Sequence, residues 1–166
     1  MKISKAGFIY TVELYDKFGN LKSTETVENL IPTVMLNYFL DTAFKGGSAF
    51  STWYLSLYTA NRTPVAADTM TTLMADCVED TVYTVTGGAR KTIAFASVAD
   101  AELTVSSENT FEFASASTIR GAFITTNPTR GNNSGLLGSA VLFQTAKTPA
   151  AGETLRVPLG FSFTSV

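Results

Sequence analysis

The side chains best suited to chemistry in this sequence are carboxylates. Asp68, Asp76, Glu79 and Asp80 fall within one short stretch. Two carboxyls are what hydrolysis of a glycosidic bond requires, and several carboxylate oxygens together suit calcium. Their spacing lacks the alternating oxygen ligands and the invariant glycine of a helix-loop calcium motif, so a solvated acidic segment is expected. Histidine is absent, which removes the commonest general base near neutral pH and any Ser-His-Asp triad. Cys77 is the single cysteine. It can form no intrachain disulfide, and its acidic neighbours raise the thiol pKa, so an inert, small apolar role is expected. Gly87-Gly88-Ala89-Arg90-Lys91 pairs glycines with cations, but a phosphate loop ends in Lys-Ser or Lys-Thr and runs into a helix. Here a strand follows, and a tight hairpin is expected. No catalytic residue, metal ligand or cofactor is assigned.

Two groups of residues suit recognition instead. Trp53, Tyr54 and Tyr58 are aromatic faces of the kind that stack on sugars. Strand alternation sets Trp53 opposite the two tyrosines, which predicts a core position for Trp53 and a rim or interface position for Tyr54 and Tyr58. Asn127, Arg130, Asn132 and Asn133 offer amide and guanidinium donors from an irregular stretch, residues 127–135, between two strands.

The elements that must position these residues are mostly strands. Phe8, Tyr10, Val12 and Leu14 alternate with more polar neighbours, Asp16 to Asn20 supplies a turn, and Leu21 to Glu28 returns, so the first 28 residues read as a β-hairpin. After Asn29 the period changes: Ile31, Val34, Met35, Tyr38 and Phe39 recur at three and four, a helix ended by Gly46-Gly47 with its apolar stripe packed on a sheet. A short helical turn is expected at Thr69 to Met74, with Asp68 as N-cap. Further strands are expected over residues 52–59, 81–86, 91–97, 101–106, 110–114, 118–126, 138–145 and 154–164, the pair 81–86 and 91–97 being joined by Gly87-Gly88. The pattern predicts a mainly β protein, an antiparallel β-sandwich of jelly-roll-like type with one helix near the N-terminal third, forming a single domain over 1–166.

Composition bounds the partners. Hydrophobic residues make up 45% of the chain and charged ones only 16%, so Ser and Thr must supply much of the polar surface. A net charge of -2 gives no basic field for a nucleic acid. No run approaches the length of a membrane span or a secretory apolar region, so a protein made in a cytoplasm is expected, away from membranes. On that expectation the sequons at Asn61 and Asn132 are chance matches.

Taken in order, several local patterns resemble small structural proteins of tailed bacteriophages, among them head decoration or cement proteins. They are Trp53-Tyr54 with Leu57, Asp68-Thr69-Met70, Ile119-Arg120-Gly121-Ala122-Phe123, Gly135-Leu136-Leu137-Gly138-Ser139 leading to Phe143, and Gly152-Glu153-Thr154-Leu155-Arg156-Val157. They span about two-thirds of the chain. The resemblance implies a virion component on the head surface, made in the host bacterial cytoplasm. It would bind the outside of a shell of major capsid protein and stabilise it, with a homotrimer expected first and a dimer second. Residues 1–46 would be either a capsid-binding arm or part of the fold. The competing expectations are a receptor- or carbohydrate-binding module of a tail or fibre, using the tyrosines and the Asn-rich loop, and, far behind, a carboxylate-based hydrolase.

Overall fold

The computed structural model describes residues 5–85, 89–99, 101–105 and 108–164. The chain opens with β1 (Lys5–Tyr15) and β2 (Leu21–Glu28). Asp16 closes the turn between them, its Oδ1 accepting from the backbone N–H groups of Phe18 (2.8 Å) and Asn20 (2.9 Å). Helix α1 (Thr33–Phe44), β3 (Trp53–Tyr58) and helix α2 (Met70–Asp76) follow. The remainder is strand: β4 (Tyr83–Thr84), β5 (Lys91–Ile93), β6 (Phe95–Ala99), β7 (Glu102–Val105), β8 (Thr110–Phe113), β9 (Ile119–Thr125), β10 (Leu137–Lys147), β11 (Thr154–Arg156) and β12 (Leu159–Thr164).

These strands form two antiparallel sheets in a sandwich-like arrangement. The larger has eight strands and forks around β1. On one side β1 pairs with β2; on the other it pairs first with β12 and then with β11. The stretch 154–164, expected as one strand, breaks at Pro158, which has no N–H to give a ladder. Its carbonyl still accepts from Thr11 N (3.1 Å), so β11 and β12 continue along the same neighbour. The break splits the sheet into two branches, β8 and β4 beyond β11, β7 and β6 beyond β12. The smaller sheet runs β10-β9-β3-β5. Gly87 and Gly88 lie outside the described residues, but β4 and β5 sit in different sheets, so the hairpin expected between them does not form. The expected strand over 91–97 also divides, β5 joining the smaller sheet and β6 the larger.

The core follows the two-residue period. Phe8, Tyr10, Val12 and Leu14 of β1 are all buried, facing Leu55 and Leu57 of β3 and Ala122 and Ile124 of β9. Burying a side chain of this size contributes about 1.5–3 kcal/mol. Strand β1 of the hairpin is thus built into the core. Between the sheets, Ser139 Oγ meets both the Tyr10 hydroxyl (2.8 Å) and Asn29 Nδ2 (2.6 Å), satisfying polar groups that burial would otherwise penalise.

The smaller sheet is covered on both faces. Its far side carries a second cluster of Tyr58, Phe123, Leu137 and Ala140, roofed by Met70 and Leu73 of α2 and by Cys77. This explains why Ala122, Phe123 and Ile124 are buried in succession. Gly121 permits the packing: a Cβ there would lie 2.2 Å from Tyr58 Cζ and 2.4 Å from Val141 O.

One seam joins β2 to β10. The Glu25 carboxylate accepts from Gln144 N (3.1 Å) and Thr145 N (3.2 Å) and pairs with Lys147 Nζ (3.0 Å). These backbone groups lie where the β9–β10 register shifts, between Leu142 and Lys147. Leu30 forms an isolated bridge with Ala140, capping part of the β10 edge.

Candidate functional site

The acidic stretch is buried at three of its four carboxylates, which corrects the expectation of a solvated segment. Asp68, Glu79 and Asp80 are almost inaccessible, and each is neutralised or hydrogen-bonded by its surroundings. Asp68 is held by a forked pair from Arg62 Nη1 (2.7 Å) and Nη2 (2.6 Å) and by Val65 N (2.7 Å). The guanidinium keeps the Asp68 carboxyl below its ordinary pKa. Arg62 Nε also reaches the exposed Asp76 (2.9 Å). Asp80 accepts from Val82 N (2.9 Å) and from the Ser117 hydroxyl. The cap expected at Asp68 belongs to Thr69, whose hydroxyl and that of Thr72 form a capping box at the start of α2. Burial is the main cause raising the Cys77 thiol pKa, to about 11, with Asp76 and Asp68 adding to it.

Glu79 anchors the Asn-rich loop. Its carboxylate takes Arg90 Nε (2.8 Å) and Nη2 (2.9 Å), the Ser56 hydroxyl and Gly131 N (2.6 Å). Gly131 sits at φ +75, a left-handed conformation that glycine adopts without a Cβ penalty. Arg90 is itself inaccessible. It donates onward to the carbonyls of Asn127 (3.1 Å) and Asn132 (2.8 Å) and stacks 5.1 Å from the Phe123 ring centre. Sequence reasoning read Arg90 as part of a hairpin. The signal for its role, an arginine eleven residues after a glutamate, is too generic to single out.

The loop residues expected to recognise a partner are largely committed to the protein. Asn127 Nδ2 donates to Ser134 Oγ (2.7 Å), and its Oδ1 accepts from Thr129 N (2.8 Å). Arg130 donates to Thr81 O (3.0 Å) and Tyr83 O (3.3 Å), with its guanidinium 4.0 Å over the Tyr83 ring. Asn132 is exposed, with its Oδ1 turned back to Ser134 N (2.8 Å). Asn133 is exposed, and its carbonyl accepts from Thr71 Oγ1 (3.3 Å). Tyr54 is half-buried. Tyr58, expected at a rim or interface, is instead fully buried. Its hydroxyl donates to Val141 O (2.8 Å), because α2 covers the face that alternation assigns to solvent. Among the described residues no group of three or more Cys, Asp or Glu is placed to hold a metal ion.

Helix α1 is different. Its inner side places Met35 in the core and Phe39 5.7 Å from the Phe161 ring. Beneath it lies an apolar cleft of about 340 Å³, lined by Phe8, Tyr38, Phe39, Thr42, Trp53 and Phe161 among others. The outer side carries Leu36, Leu40 and Phe44, exposed by 43%, 57% and 81%. Spaced four apart, they form one ridge about 12 Å long. Thr33 N donates to Ala66 O (2.8 Å), which brings Val65, half exposed, to the ridge's N-terminal end. Sequence reasoning identified the helix and its inner stripe but missed this second one, although its four-residue spacing was visible. No helix of the described residues is long and apolar enough to cross a membrane. Compared with known proteins, the chain matches no protein-family model and no curated protein.

Proposed function

We propose that the protein is a non-enzymatic virion component of the head decoration type, which binds the outer surface of a major capsid protein shell and stabilises it. The observation that carries this reading is the outer ridge of α1, which suits a protein that works within an assembly of copies. Large apolar side chains aligned along one exposed helix face suit a protein-protein contact better than a free monomer surface. The buried carboxylates support the same reading, since charges closed into internal networks are poor candidates for acid-base work on a substrate. The resemblance to phage decoration proteins supplies the address. Its motifs lie in β3, β9 and β10, which adjoin in the smaller sheet, at the start of α2, and in β11. They therefore describe scaffold rather than a reactive site.

A ligand present at 100 times its dissociation constant stabilises the state it binds by about 2.7 kcal/mol per site, and a shell repeats that site many times. Electron microscopy of intact particles tests the proposal. Density for this chain over the head, and shells that rupture at lower temperature without it, are expected. Its absence from the head surface would overturn the reading. The exposed Asn132 and Asn133, displayed on a loop pinned by Arg90, favour a tail or fibre glycan-binding module as the second reading. Binding to host glycans that disappears on changing both to Ala would establish that alternative.

A further inference from the structure

We infer that the outer ridge of α1 is occupied by a second copy of this chain, packed as an antiparallel helix pair around a two-fold axis at Leu40. The inference rests on reading that ridge as a protein-contact surface, and it names the partner.

The ridge is self-complementary. Two copies related by a two-fold axis bring Leu40 against the partner's Leu40, and Leu36 and Val65 against the partner's Phe44, so the bulkiest side chain meets the smaller ones at each end. Residues spaced by four form the ridges that interdigitate at a crossing of about −50°. A two-fold contact uses the same patch on both subunits, whereas a three-fold ring needs two different patches that fit each other. A single ridge with both halves of the fit on it suits the two-fold case.

Charge permits the pairing. Leu36, Leu40 and Phe44 are flanked on the exposed side by Thr33 and Asn37, neither of them charged. Asp41 and Lys45 neutralise each other along the helix (3.1 Å). No like charges are therefore forced together at the axis. An antiparallel arrangement also sets the N-terminus of each helix, whose first turn carries no acidic residue, beside the C-terminus of the other, whose last turn carries no basic one. The helix dipoles are then opposed favourably without side-chain conflict.

The area is of the right order. From their exposures, the four apolar side chains offer roughly 400 Å² per copy, taking about 200 Å² for a whole aromatic side chain. The exposed Thr33, Asn37, Ala43 and Ala66 surround them as a polar or small-residue rim. The apolar part alone is about half of the roughly 800 Å² per partner of a standard interface, and the rim adds to it.

Sedimentation of the full chain at tens of micromolar, with the Leu40→Asp variant alongside, tests the inference. The native chain is expected to sediment as two copies, and the variant as one with an unchanged circular dichroism spectrum. A Leu40→Cys variant should form a disulfide-linked dimer on mild oxidation, while Val98→Cys, at an exposed position on β6, should not. A native chain that is monomeric, or an oligomer that survives Leu40→Asp and leaves Leu40→Cys uncrosslinked, would overturn it. Failure of the decoration reading shows separately, as native chain that does not co-sediment with shells whatever its oligomeric state.

Discussion

The two helices do opposite things with similar material. Helix α2, seven residues long, is closed within the chain: a capping box starts it, Met70 and Leu73 are buried beneath it, and Arg62 ties Asp68 ahead of it to Asp76 at its end. Helix α1, twelve residues long, has no side-chain cap, and it turns Leu36, Leu40 and Phe44 outward. The region around α2 is finished by internal polar and apolar contacts. The outer side of α1 waits for contacts from elsewhere. A protein that works by assembling needs both, a rigid body and a surface left incomplete.

Substitutions should separate the two regions, with the greatest loss of stability on the α2 side. Arg90→Ala leaves Glu79 buried without its cation and should cost about 3–5 kcal/mol. Thermal unfolding should show that loss, and hydrogen exchange should show residues 126–136 losing protection first. An unchanged melting temperature would show that the α2 side does not depend on this buried ion pair. Gly121→Ala drives a methyl group into Tyr58 and the Val141 carbonyl, and should cost about 1–3 kcal/mol by chemical denaturation; Gly160→Ala, where a Cβ meets nothing, is the control.

Acid titration should also separate the two regions. The Asp68 carboxyl is held below its ordinary pKa by Arg62, so the unfolded chain binds the proton more readily. Its stabilising contribution is complete above the unfolded value of about 3.9 and is lost as pH falls through the folded one. Arg62→Met should therefore flatten the acid limb of the stability profile. Leu40→Asp should have the smallest effect on the fold, within about 0.5 kcal/mol, while altering association. If it unfolds the chain instead, α1 is no more open than α2.

Much of this was legible in the sequence. The alternation of Phe8 to Leu14 and of Leu55 with Leu57 identified inward faces, because one side of each strand meets the other sheet. The period of Met35 and Phe39 identified α1. What failed were inferences about the opposite side. Alternation tells which residues share a face, and it is silent on what covers that face. Tyr58 and Glu79 therefore read as exposed until α2 and the Asn-rich loop are folded over them. The same limit hid the division of 91–97, since a period of two does not say which sheet a strand joins. At the candidate site, the loop residues were rightly found irregular and polar. Asn127 is tied to Ser134 and Thr129 and Arg130 to Thr81 and Tyr83, the latter through contacts distant in sequence, while Asn132 and Asn133 stay exposed.

The Glu25 seam bears on how such a molecule can be crowded safely. Strand edges invite endless stacking, since every added strand exposes another edge. By occupying the N–H groups of Gln144 and Thr145, with Leu30 closing the neighbouring part of β10, the protein withholds main-chain groups that would template such growth. The dimer proposed above would associate through side chains on a helix instead, a contact whose geometry can be saturated. Growth that stops at a defined number is what separates a building block from a precipitate.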